Sequence, residues 1–335
     1  MPRGFIIGGF RLPTRGHQHL IDFASAFCGG DLDVMLCTRP DDAIPGAFRL
    51  RWLTEHFGTR ARIRRFENSL PEFPDGVPDF WEIWKRAILD FLNGGRPEVV
   101  FASESYGKRI ADDLDARFVP VDPARDSVQI SATRLKAGIA EHWNMLLPPA
   151  RPHFLKRIAI IGPESCGKTT LARKLSAAYR TAYVQEWART FLENAQPSKY
   201  PDAADIELIS RGQAAAEDSL ARQADRVLFL DTEHVCTAVW SQVALGAVPA
   251  SVDAEIAARP YDLRLLLKDD VPFVPDILRY GGTARQLRME HFVEALQKRS
   301  LPYTVIDGGW PERHARAMAA VEEVMAAPHQ FRHIT

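Results

Sequence analysis

Short apolar runs alternate with amphipathic stretches along the whole chain. GFIIGGF, from Gly4, is apolar and predicts a buried strand. HQHLIDFASAF behind it places Leu20, Ile21, Ala24 and Phe27 at the spacing of one helical face. The pattern continues with strands over LDVMLCT, ARIRRFE, EVVFASE and RFVPVD, and helices over FRLRWLTEHF, DFWEIWKRAILDFLN and RIADDLDA between them. A second series opens with KRIAIIGPESCGKTTLARKLSAAY, which reads as strand, loop and helix. It goes on through strands at TAYVQE, DRVLFLDTE, YDLRLLLK and YTVIDG, with helices over AADIELISRGQAAAEDSLARQA and LRMEHFVEALQKRS. Strands that alternate with helices predict an α/β protein with doubly wound parallel sheets.

The two series meet at LLPPARPHF, Leu146 to Phe154, where three prolines follow a helical-looking segment and precede a fresh strand. The expected division is therefore residues 1–149 and 150–335. At 335 residues the chain is long for a single core, which favours the same division. No sequence repeat links the halves.

Composition narrows the partners. With 46% apolar and 25% charged residues the chain has the balance of a soluble globular protein. The net charge is −1 and the arginines are interspersed with acids, so nothing points to a nucleic-acid partner. Cys28, Cys37, Cys166 and Cys236 show neither CxxC spacing nor a paired framework, which predicts a reducing cytoplasmic setting. The N-terminal apolar run is broken by glycines and meets Arg11, which is wrong for a signal peptide. No run approaches the roughly 18 apolar residues of a spanning helix, so no membrane partner is expected. The oligomeric state stays open, a homo-oligomer included.

The strongest motif is GPESCGKT, Gly162 to Thr169, which fits the Walker A pattern GxxxxGK[ST] between a predicted strand and a predicted helix. Gly162 and Gly167 allow the tight turn, and the loop Glu164, Ser165, Cys166 with Thr170 behind it supplies amides around the phosphates of ATP. Lys168 is expected to reach the β- and γ-phosphates, and the Thr169 hydroxyl to ligate Mg²⁺. Asp231, at the end of the apolar run VLFLD, is the second candidate Mg²⁺ ligand; an acidic cap after a strand is the plainer reading. Glu186 in YVQEWAR stands where a small-molecule kinase places a general base near the acceptor hydroxyl, with Arg189 a helical turn away. A surface ion pair is the alternative for these two. LRYGGTARQLR gathers Arg279, Arg285 and Arg288 around a Gly-Gly pair, the composition of a lid over transferring phosphates or of a solvated basic loop.

In the first half, GGFRLPTRGHQH and the distal ISATRLK resemble the paired signatures of the nucleotidyltransferase superfamily of adenylyltransferases, GxFxPxHxGH with a TxGH variant, and ISxxxxR. The resemblance implies that Gly8, Gly9, Phe10, Thr14 and His17 meet ATP after the first strand, with Thr14 and His17 donating to phosphate. It implies that Ser131, Thr133, Arg134 and Lys136 hold the β- and γ-phosphates. Three positions depart from the pattern: Thr14 replaces the first histidine, Leu12 the proline, and Lys136 the distal arginine, keeping the charge without the bidentate fork.

An adenylyltransferase half joined to a Walker-type kinase half resembles the NadR family, bifunctional nicotinamide-nucleotide adenylyltransferase and ribosylnicotinamide kinase. SESYGKRIADDL, QEWAR, FLDTE and YDLRLLLKDDVPFVPDILR extend the likeness over nearly the whole chain. It implies two ATP-dependent reactions with Mg²⁺: ribosylnicotinamide to nicotinamide mononucleotide (NMN), then NMN to NAD and pyrophosphate. Some members carry an N-terminal helix-turn-helix module; here the first predicted strand begins within a few residues of Met1, so none is expected ahead of it. A tryptophan stacked on the cationic nicotinamide ring is a further implication, with Trp84 preferred to Trp81. Two tryptophans three apart on a helix are otherwise a core feature. Two other readings share this architecture: a fusion of phosphopantetheine adenylyltransferase with dephospho-coenzyme A kinase, against which QEWAR and the tryptophan-bearing helix argue, and a kinase whose first half senses NAD or ATP without turning it over.

Overall fold

The computed structural model describes residues 1–129, 132–194, 201–273 and 287–333, the side chains of 132, 133 and 137 excepted. The chain divides into two compact units, Met1–Arg151 and Pro152–Thr335.

In the first unit the elements run β1 (Gly4–Gly8), α1 (Arg15–Cys28), β2 (Leu32–Thr38), α2 (Gly46–Phe57), β3 (Arg62–Glu67), α3 (Phe80–Phe91), β4 (Val99–Ala102), α4 (Tyr106–Leu114), β5 (Arg117–Pro120) and α5 (Ala132–Ala137). The strands form one parallel sheet in the order β3-β2-β1-β4-β5. Because side chains alternate along a strand, Ile6, Val34 and Phe101 face α1 and α2 while Phe5, Met35 and Val100 face α3 and α4. Both faces are apolar and covered, which is why the strands read as near-continuous apolar runs. Strand β1 lies between β2 and β4, so the chain order reverses there and a crevice opens beyond the strand ends.

The second unit repeats the logic with β6 (Lys156–Ile161), α6 (Lys168–Tyr179), β7 (Tyr183–Val184), α7 (Trp187–Asn194), α8 (Ala203–Ala221), β8 (Val227–Asp231), α9 (His234–Leu245), α10 (Ala250–Ala258), β9 (Leu263–Leu267), α11 (Met289–Lys298), β10 (Thr304–Ile306) and α12 (Trp310–Ala326). Its parallel sheet has the order β10-β9-β6-β8-β7. Ile158, Ile160, Phe229 and Leu265 pack with Leu171 and Leu175 of α6 and with Ala317 and Val321 of α12. Every strand and helix named from the sequence pattern is present. Helices α7, α9, α10 and α12 were not expected from that pattern. No helix among the described residues is long and apolar enough to cross a membrane.

Candidate functional site

In each unit a large cavity lies at the C-terminal ends of the strands. The cavity of the first unit, about 640 Å³, is lined by Gly8, Gly9 and Phe10 after β1, by Thr14 and His17 at the start of α1, and by Trp81 and Trp84 of α3 among others. A reciprocal cap holds the turn: the Thr14 hydroxyl accepts from the His17 N–H at 3.3 Å, and the Thr14 N–H donates to His17 Nδ1 at 3.0 Å. Since Nδ1 accepts that hydrogen bond, the neutral ring carries its proton on Nε2. Burial, with the Arg125 guanidinium opposite, pulls His17 down to about 4. The imidazole is therefore a neutral donor at physiological pH. The Thr14 hydroxyl, expected to donate to phosphate, accepts in this cap and lies 3.1 Å from His17 Nδ1, so it also holds the histidine in place.

A second positioning group was not read from the sequence. Arg49 of α2 is fully buried, bonds Asp42, and donates to the Gly9 carbonyl at 2.6 Å, which fixes the backbone beyond β1. Arg125, from the turn PARDS, also lines the cavity and pairs with Glu104 at 3.3 Å. Nothing in its local pattern separates it from a solvated turn arginine. Of the distal motif, Arg134 and Lys136 are exposed on α5, and Thr133 lies in the same helix. Ser131 lies outside the described residues. The indole N–H of Trp84 donates to the Pro71 carbonyl at 2.9 Å, while the Arg109 guanidinium sits 5.5 Å from the Trp81 ring.

The cavity of the second unit, about 430 Å³, is lined by Gly162, Glu164, Ser165, Gly167, Lys168, Thr169 and Thr170, and also by Glu186 and Arg189. Glycine is required at both turn positions. Gly162 sits at φ +138° with the Leu267 carbonyl 2.6 Å from where a Cβ would stand, and Gly167, at φ +91°, lies against the Trp310 ring. Lys168 donates to the carbonyls of Gly162 and Pro163 at 3.0 and 2.8 Å. Burial lowers the pKa of its ammonium, but the groups around it, Cys166, Glu186, Cys236 and Asp231, outweigh that and hold it above the usual lysine value. Cys166 turns its thiol into the interior, donating to the Pro163 carbonyl at 3.0 Å, and contributes only backbone to the loop.

Asp231 ends β8 beside the loop. Burial raises its pKa, and the Thr169 hydroxyl, which bonds it, and the Lys168 ammonium pull the other way. Its Oδ1 is buried and has no hydrogen-bond partner among the described residues. A hydroxyl and a carboxylate with a spare oxygen form a hard-donor pair suited to Mg²⁺. The next residue, Thr232, stands at φ +76°, and Glu233 caps α9 by accepting from the Val235 N–H at 2.9 Å while the buried Arg264 donates to its other oxygen at 3.1 Å. Arg189 pairs with Glu193 at 3.3 Å. Arg288 starts α11 and pairs with Asp269 at 3.6 Å, outside the cavity wall. Arg279 and Arg285 lie outside the described residues. Ile206, Ile209 and Trp240 add apolar wall to the cavity, and no motif in the sequence points to them.

These features define a two-unit α/β protein, a P-loop nucleotide site in its second unit and a switch-point crevice in its first. The comparisons agree. The AAA-domain family matches residues 157–313. The proteins named Trifunctional NAD biosynthesis/regulator protein NadR from Escherichia coli (strain K12) and from Salmonella typhimurium (strain LT2) are each 28% identical over 288 residues, covering 83% of this chain and 69% of theirs. Two solved structures share the fold over both units. A NadR protein in complex with NR has a TM-score of 0.77 at 20% identity, covering 100% of this chain and 99% of its own. A NadR protein in complex with NAD and AMP-PNP has a TM-score of 0.76 at 22% identity, covering 99% and 98%. The chain is similar to these NadR proteins over most of its length, as its motifs suggest.

Proposed function

We propose that the chain carries out two consecutive steps of NAD formation, the second unit converting ribosylnicotinamide to NMN and the first converting NMN to NAD. The observation that carries this reading is the presence on one chain of two cavities, each bordered by the turn from a strand into the next helix and each with aromatic residues in its wall. It is supported by the solved relatives, one holding NR and another NAD and AMP-PNP.

In the kinase step the 5′-hydroxyl of the riboside attacks the γ-phosphorus of ATP, the bond to the β-phosphate oxygen breaks, and ADP leaves. Glu186 receives the hydroxyl proton. The loop amides and Lys168 neutralise the phosphates, with Lys168 leaving its carbonyl partners to do so. Thr169 and Asp231 would hold Mg²⁺, which supplies further charge neutralisation at the β- and γ-oxygens. In the adenylyl step a phosphate oxygen of NMN attacks the α-phosphorus of ATP in line, and pyrophosphate leaves. There is little covalent work for the protein, so placement and charge decide the rate. His17 donates from Nε2 to the phosphates, Arg125 adds charge, and Trp84, held by Pro71, offers its face to the pyridinium ring, a contact worth about 1–2 kcal/mol when desolvated.

The purified protein with ATP and Mg²⁺, offered each substrate separately, is expected to phosphorylate ribosylnicotinamide and to adenylylate NMN. Lys168→Ala abolishes the first and leaves the second. Phosphorylation that survives Lys168→Ala would remove the P-loop from the mechanism.

A further inference from the structure

Gln213, on α8, is 3% exposed yet lines the cavity of the second unit. Its two ends differ in circumstance. Oε1 accepts from the Trp187 N–H at 3.0 Å, the first residue after Glu186. Nε2 is buried and has no hydrogen-bond partner among the described residues. Trp187 can satisfy only the oxygen end, so the amide cannot flip without leaving that N–H bare. The backbone is held as firmly: a Cβ at Gly212 would stand 2.3 Å from the Trp187 ring, so the indole lies directly on the helix there. The fold thus fixes a side-chain amide beside the candidate base, oxygen spoken for and two N–H groups unspent. An amide donor buried without a partner is costly. At a cavity wall such a donor stands open to a ligand's acceptor.

The neighbourhood says what part of a ligand. Ile206, Ile209 and Gln213 follow one another at i, i+3 and i+7, so they share one face of α8, and all three line the cavity. Ile206 and Ile209 are 2% and 4% exposed. Trp240 of α9 adds a further aromatic wall to the cavity. A single donor on an otherwise apolar stripe is complementary to a flat ring bearing one exocyclic acceptor, not to a sugar edge with several hydroxyls.

We propose that Gln213 is a specificity-determining residue of the phosphoryl-acceptor site, its Nε2 donating to the carbonyl oxygen of a carboxamide on the aromatic ring of the substrate. This rests on the kinase reading of the second unit. Loss of the donor leaves that carbonyl desolvated and unpaired, whereas a ring without a carboxamide never had the bond to lose.

The test compares ribosylnicotinamide with ribosylpyridine, the same pyridinium riboside without its carboxamide, in wild type, Gln213→Ala and Gln213→Glu. Gln213→Glu keeps an oxygen for the Trp187 N–H and removes the donors, adding a negative charge that the two pyridinium ribosides meet alike. Wild type is expected to prefer ribosylnicotinamide in kcat/KM. Both variants are expected to lose about 10- to 100-fold with ribosylnicotinamide, expressed mainly in its KM, and to leave ribosylpyridine and the KM for ATP within about twofold. Variants that slow both nucleosides equally, or a Gln213→Glu protein that keeps the wild-type preference, overturn the proposal while the kinase reading stands. A wild-type protein that phosphorylates neither nucleoside overturns the kinase reading and this inference with it.

Discussion

His17 shows how much one side chain's surroundings decide its chemistry. A histidine in a polar turn is ordinarily half-charged near neutrality, but burial, reinforced by Arg125, brings this one from 6.5 down to about 4. Between those values the folded protein holds fewer protons than the unfolded chain. The stability this group contributes is thus present above pH 6.5 and is lost as the pH falls towards about 4. The same sign applies to function: from pH 6 to 8 the ring stays neutral, and its Nε2–H stays available to phosphate. Initial rates of NAD formation from NMN are expected to be flat over that range, and His17→Ala to lower kcat by about 10²–10³ without introducing a pH dependence. A limb near pH 6.5 that disappears in His17→Ala would show that the charged imidazolium is the working form. The sequence pointed to His17 and Thr14 together. It did not show that Thr14 serves the histidine, because that follows from two short bonds across one helical turn.

At the scale of elements, legibility followed burial pattern. The strand predicted at LDVMLCT is β2 to the residue, since six apolar or branched positions out of seven, between polar flanks, leave little choice. Helix α9, HVCTAVWSQVAL, was not read. Most of its first eight residues are buried, so it has no polar face to set a helical period against. Helix α12 did carry a signal, the Pro311 in its first turn. The phosphate loop of the second unit was legible because its chemistry is written in consecutive residues, and its strain is measurable. Gly162→Ala places a methyl against the Leu267 carbonyl at a left-handed φ. It is expected to lower the stability of the second unit by about 1–3 kcal/mol, read in thermal unfolding, together with kinase activity. An unchanged melting temperature would mean that the loop relaxes freely. Arg49, Gln213 and Trp240 were not legible at all: each matters through partners from other elements, and no spacing along the chain encodes that.

Across the whole molecule, the proposed chemistry runs against the order of the units along the chain. Each unit has its own sheet and a cavity at its strand ends, so one reaction is proposed for each, the product of the second unit being the substrate of the first. The NadR homology extends over most of the chain, consistent with both units being kept together. The most direct measurement is a single incubation of ribosylnicotinamide with ATP and Mg²⁺, followed by separation of the nucleotide products. Wild type is expected to yield NAD, His17→Ala to stop with NMN accumulated, and Lys168→Ala to leave ribosylnicotinamide unconsumed. NAD made by the His17→Ala protein at the wild-type rate, or no NAD from wild type when NMN is supplied directly, would contradict the account.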